Sequence, residues 1–275
     1  MTRRTRLLPL ALLVGALAAS GLAVRSTVAS ADPTPPTTTT TTTTTTLATP
    51  TTTTTTTTPA PTPAGGVPSA PRCTPSVVAR VRQLVGTELS DRVTQLDTLT
   101  TRVNAAATLT AADRATLLGD LGQTELPGIR ALQTSVESDA TCLELRRDAH
   151  AMVYDYRVYL VMTPQTDLVV ANDAAVHAGG DLADLEPVVS AAIERARSHG
   201  TDVTGAQTAM ADYQTTVTAA QDLTSGQTTT LLAQTPADYP ASHAVFVQAR
   251  RNVTGAVSDL HAARADLARI IQGVG

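Results

Sequence analysis

The chain has 275 residues, with 20 arginines, 24 acidic residues, five histidines and a formal net charge of −4. Arg3, Arg4, Arg6 and Arg25 fall in the first 31 residues, so the other sixteen arginines against 24 acids leave −8 on residues 32–275. That charge repels phosphate backbones, and with five Tyr, one Phe and no Trp the chain lacks stacking platforms, so nucleic-acid binding is excluded as a function class.

In chain order, Met1 to Ala31 read as a secretory signal peptide: the basic Arg3, Arg4 and Arg6, an apolar run from Leu7 to Val24, and the small-x-small step Ala29-Ser30-Ala31. Retained, the run would barely reach the length of a membrane anchor. Cleavage places the mature start near Asp32 and leaves no membrane span in the mature chain. Residues 32–72 are almost entirely threonine, proline, alanine and glycine, including Thr37 to Thr46 and Thr51 to Thr58. With almost no apolar surface to offset chain entropy, they are expected to be a disordered Thr/Pro-rich linker, of a composition also found in O-glycosylated stalks.

Residues 73–275 are long enough for one sizeable core, and their Ala, Val and Leu content favours closely packed helices. The expected fold class is therefore all-α: an elongated antiparallel helical bundle with coiled-coil-like packing. Thr74-Pro75 opens a long amphipathic helix through Val78, Val81, Val85, Leu89, Val93, Leu96, Leu99 and Val103, running to about Ala107. Thr110 and Asp113 suggest a cap for a second helical stretch to roughly Met162, bent near Gly119, Gly122 and Leu126-Pro127-Gly128. Thr163-Pro164 opens the next helix, with a break expected at Gly179-Gly180 and an end at His199-Gly200. From Asp202 the pattern resumes through Ala206, Met210, Tyr213, Val217 and Ala220, up to a breaker at Thr235-Pro236 to Tyr239-Pro240. In the last helix Ala249, Val253, Ala256, Leu260, Ala263, Leu267 and Ile270 form a heptad seam. Such a seam needs a partner, either within one chain or in a coiled-coil oligomer, and the sequence does not set the oligomeric state.

Cys73 and Cys142 are the only cysteines, and export into an oxidising compartment makes them a disulfide. Their midpoint lies at Ala107 and Thr108, where the helix signals place the first turn. Two helices rising equally from that turn would bring the cysteines side by side.

Signals for chemistry are sparse. His150, His177, His199, His243 and His261 include no pair at ligand spacing on one helix face, so neither metal nor cofactor is expected. Nucleophile elbows and phosphate-binding loops are missing, and no catalytic residue is nominated. Glu137, Asp139, Glu144 and Asp148 read as a solvated helix face, and the sequon Asn252-Val253-Thr254 falls inside a helix. The one unusual cluster is Tyr154, Tyr156, Arg157 and Tyr159, with Tyr156 and Tyr159 or Leu160 expected on a face shared with Met152. It reads either as a recognition patch anchored by Arg157 or as a wide core layer in which Arg157 pairs with a carboxylate of another helix.

Tyr156 to Pro164, Thr235-Pro236-Ala237-Asp238-Tyr239 and Ala263-Arg264-Ala265-Asp266 together resemble segments in a group of secreted helical proteins of high-GC Gram-positive bacteria. The resemblance covers about Cys73 to Gln272; it implies an extracytoplasmic helical bundle and transfers no active site. The expected function is a non-enzymatic structural or interaction module, secreted or associated with the cell envelope, whose partners are cell-wall or surface components or another protein. The alternative is a carrier for a small apolar or haem-like ligand, with Met152, Tyr156 or a histidine as the contact.

Overall fold

A computed structural model describes Cys73–Gly275. The signal peptide and the Thr/Pro-rich linker lie outside the described residues. Among those described, the fold is an all-helical bundle without strands.

Helix α1 spans Pro75–Ala105, and Thr74 caps it by accepting the Val77 N–H through Oγ1. Its buried stripe is Val78, Val85, Leu89, Leu96, Leu99 and Val103, joined by Arg92. Each fully buried leucine contributes about 1.5–3 kcal/mol. Helix α2 spans Ala111–Gly119 behind the Thr110 cap, whose side chain accepts the Asp113 N–H. A π-helical turn, Asp120–Glu125, carries the chain into α3, Leu126–Ser138. The bend expected here takes the form of a wider turn, because Pro127 has no N–H to donate and the Leu126 N–H bonds the Leu121 carbonyl five residues back.

The second helical stretch is not continuous to Met162. It stops at Asp139, and helix α4, Cys142–Ala151, starts afresh from a capping box in which Thr141 and Glu144 satisfy each other's backbone N–H groups. After α4 come two π-helical turns, Met152–Tyr156 and Val158–Met162, on either side of Arg157. Helix α5 then spans Thr163–Ser198, α6 Thr204–Thr224, α7 Gln227–Leu232, a 3-10 turn Pro236–Asp238, and α8 Ala241–Val274.

The break expected at Gly179-Gly180 does not occur: α5 runs through it and through Pro187. A Cβ on Gly179 would lie 3.6 Å from Gln221 and 3.8 Å from Leu260, ordinary contact distances, so α6 and α8 pack over this stretch of α5. The helix ends where expected. Gly200 takes φ 83°, its N–H bonds the Arg197 carbonyl, and the Thr201 N–H bonds the Ala196 carbonyl, a Schellman closure. The Asp202 carboxylate accepts the N–H and hydroxyl of Thr204 and starts α6.

The helices form two storeys. In the first, α1 is met by α3 running back, with Gln133 bonding Ser90, and by the start of α5 running alongside, with Gln95 bonding Thr163 and Arg102 pairing with Asp167. Their shared core includes Leu96, Leu117, Ile129, Leu145 and Val169, with Leu231 of α7 and Phe246 of α8. In the second storey α6 runs antiparallel to α5, with the Tyr213 hydroxyl donating to the Leu182 carbonyl, and antiparallel to α8, where Gly273 meets Ala206 and Gly255 meets Leu223. The seam of α8 therefore finds its partners within the chain. Ala256, Leu260, Ala263 and Ile270 pack with Leu182, Ala206, Tyr213 and Ala220 in a second core. Small residues on both surfaces permit this close approach.

Cys73 and Cys142 are bonded, with Cα atoms 6.0 Å apart. The first turn lies at Ala106–Thr110, so equal rise on the two arms does bring the cysteines together, even though the returning arm includes a π turn and a break.

Candidate functional site: the tyrosine–arginine junction

At the edge of the first storey, the candidate site is built around Arg157. Its φ of 43° makes it the single non-glycine residue in the left-handed region among the described residues, a conformation that persists where surrounding contacts enforce it. Those contacts are visible. The guanidinium donates to the Tyr239 carbonyl at 2.8 Å and lies 4.8 Å from the Tyr239 ring centre and 5.6 Å from that of Tyr154. Tyr154 stacks on His150 with centres 4.3 Å apart, and Tyr239 meets His243 edge-on at 6.5 Å. The result is a ladder, His150–Tyr154–Arg157–Tyr239–His243, that ties α4 to the start of α8. Each cation–π contact at such a partly exposed site contributes about 0.5–1 kcal/mol.

The face expected to join Met152, Tyr156 and Tyr159 is interrupted, because Arg157 turns the chain between them. Met152 is buried in the first core, whereas Tyr159 and Leu160 are exposed. Tyr156 leans on Gly128 of α3, and Tyr159 lies under the Arg92 guanidinium of α1, 5.0 Å from ring centre to Cζ. Of the four residues singled out in the sequence, Tyr154 and Arg157 thus meet, whereas Tyr156 contacts α3 and Tyr159 contacts α1. Arg157 takes a backbone carbonyl as its partner in place of a carboxylate. Tyr239 and the two histidines, which complete the ladder, are distant in sequence and could not be picked out by spacing.

Burial raises the Tyr156 hydroxyl above its ordinary range, with Glu125 and Asp155 adding to the shift. Glu125 itself, at the end of the first π turn, is 4% exposed, and its Oε2 has no partner. Burial first, then the nearby Asp120, push its carboxyl up to about 7. A neutral carboxylic acid near a tyrosine can donate or hold a proton, but Glu125 is buried and Tyr156 is packed against Gly128 of α3.

Asp139 and Asp148 depart from the expected solvated face: both are buried, at 5% and 3% exposure. Asp148 is paired with Arg147 at 2.8 Å, and Arg82 donates to the Asp139 backbone carbonyl, so the helix packing turns these acids inward. Glu144 serves the α4 cap, and hydrogen bonds from Thr141 and Ala140 hold its carboxyl below the usual range. Beside this knot runs a groove of about 390 Å³ between α1 and α3, lined by Arg82, Thr87, Ser90, Gln133 and Glu137. Among the described residues no three His, Cys, Asp or Glu side chains gather at metal-binding distance, and no helix is long and apolar enough to cross a membrane.

Comparison with protein-family models, curated proteins and solved structures returned no match to this chain.

Proposed function

We propose that the protein is an extracytoplasmic, non-enzymatic helical module that presents an interaction surface, carried on its threonine-rich linker. The observation that carries this reading is the way the bundle is held. A disulfide fastens its first storey, and the two cores are filled by the chain's own leucines, valines and alanines from α1 to α8. An exposed apolar set, Leu143, Val153, Tyr154, Tyr159 and Leu160, lies within one stretch of the chain on that framework. Aromatic and aliphatic side chains left at the surface are what a protein partner or a wall component can engage. A disulfide persists in oxidising surroundings, in keeping with export through the signal read at Met1 to Ala31.

The test is the mass and location of protein recovered from the cells that produce it. An intact mass equal to the processed, oxidised chain, allowing for sugars, together with recovery in wall or medium fractions, supports the module. A stoichiometric non-covalent apolar ligand would favour a carrier, and recovery in the cytoplasm with free thiols would overturn the assignment.

A further inference from the structure

Tyr154, from the π turn after α4, and Tyr239, from the stretch just before α8, both face one cation. That cation is the protein's own Arg157, whose guanidinium also donates to the Tyr239 carbonyl at 2.8 Å. These partners, two rings and a carbonyl, are all neutral. Arg92, also set over a tyrosine, is held differently: it pairs with Glu88 and meets a single ring. The contacts around Arg157 thus contain no ion pair that an incoming cation would have to break. The rings can also be reached from solvent. Tyr154 is 52% exposed, and His150 and His243, which contact the two rings, are exposed as well. Met152 and Val158 anchor the backbone around Arg157 in the core, so the guanidinium can leave by side-chain rotation without unfolding the π turns.

We propose that the Tyr154 and Tyr239 rings and the Tyr239 carbonyl form a recognition site for an arginine side chain of a protein partner, and that Arg157 fills it in the free protein as a built-in competitor. Aromatic faces attract any compact cation, but the carbonyl accepts a hydrogen bond, which selects a guanidinium bearing N–H groups over a quaternary ammonium. A planar guanidinium stacks on a ring while its edge donates to the carbonyl, a combination that a compact, strongly hydrated lysine ammonium meets less well. The left-handed backbone of Arg157 is the local strain that aims its guanidinium at this site. The net charge of −8 on residues 32–275 draws basic partners to the molecule. This inference rests on the reading of the exposed tyrosines as an interaction surface and names the chemistry of what they bind.

Tyrosine ring resonances of the full chain, followed by NMR, test it. The probes are guanidinium chloride, N-acetyl-arginine amide, N-acetyl-lysine amide and tetramethylammonium chloride, at matched ionic strength and below denaturing concentration. Arg157→Gly removes the guanidinium and tolerates the left-handed backbone. In it, guanidinium and the arginine amide should shift the Tyr154 and Tyr239 rings saturably, with Kd on the order of 10 mM, and the lysine amide and tetramethylammonium should bind several-fold more weakly. The parent protein should bind guanidinium on the order of tenfold more weakly than the variant, because Arg157 competes. Adding Tyr239→Leu to Arg157→Gly should abolish the shift at Tyr154. Arg157→Asn, which also tolerates this backbone, serves where the glycine variant does not fold. Unshifted rings in a folded Arg157 variant overturn the site, equal binding by parent and variant overturns the competitor, and an equal response to tetramethylammonium overturns arginine as the occupant. Any of these with the protein still recovered in wall or medium fractions strikes this inference alone, whereas recovery in the cytoplasm with free thiols strikes the proposed function.

Discussion

Gly128 shows how one missing Cβ shapes the junction. A methyl group there would overlap the Tyr156 ring, so the glycine is what lets Tyr156 lie against α3. Gly128→Ala should destabilise by about 1–3 kcal/mol through overpacking, partly offset by the roughly 1 kcal/mol that alanine gains in a helix. The check is a melting curve of Gly128→Ala alone and combined with Tyr156→Ala. If the single variant melts at or above the parent's temperature, the contact is not tight. Arg157 is legible in a different way. Its residue type beside three tyrosines drew attention in the sequence, but its left-handed backbone and its bond to the Tyr239 carbonyl arise from a contact across 82 positions. Local pattern cannot report a partner that far away.

Among the elements, the disulfide closes the arm formed by α1 and the returning α2, π turn and α3. The bond closes 69 residues of sequence separation and, on the chain-entropy account, stabilises by about 4 kcal/mol, less where native geometry is strained. Replacing both cysteines by serine, or melting under reductant, should lower stability by up to that amount while leaving the helical signal of the folded protein unchanged. An unaltered melting temperature would show that packing alone holds the ends together. Most element boundaries were readable because capping chemistry is local: Thr74 with Pro75, Thr110 with Asp113, and His199-Gly200 each operate within a turn of their helix. The Thr141–Glu144 box carries the same signal and marks the start of α4, which a reading by apolar spacing alone runs through. Gly179-Gly180 misleads for the opposite reason. A glycine pair breaks an isolated helix, but here close packing by α6 and α8 outweighs the cost.

For the whole molecule, the buried acids set how stability depends on pH. Glu125 holds its proton to about 7 when folded and titrates near 4.5 when unfolded, so the folded chain binds more protons between those values. Stability from this group is therefore complete below about 4.5, falls as pH rises, and levels off above 7, a loss of about 3 kcal/mol at one unit per 1.36 kcal/mol. Asp173 acts in the same direction. The surface cap residues Glu144, Asp202 and Asp238, held low by threonine hydrogen bonds, act oppositely and weaken the caps only as pH falls towards and below the ordinary carboxylate range. Melting temperature should thus be higher near pH 5 than near pH 8, and Glu125→Gln should flatten the slope between them. A melting temperature that rises from pH 5 to 8 would contradict this balance.

The sequence by itself determined an all-helical domain from Cys73 onward, its caps, the place of the first turn and the pairing of the two cysteines. All of these follow from periodicity, cap chemistry and equal rise, which act over a few residues or along one axis. Only the tertiary structure decided that α5 continues through two glycines, that Asp139 and Asp148 turn inward, that Arg157 binds Tyr239, and that Glu125 and Asp173 are buried. Those outcomes depend on which surfaces lie opposite one another, and burial changes the energy of a glycine or a carboxylate more than its neighbours in sequence do.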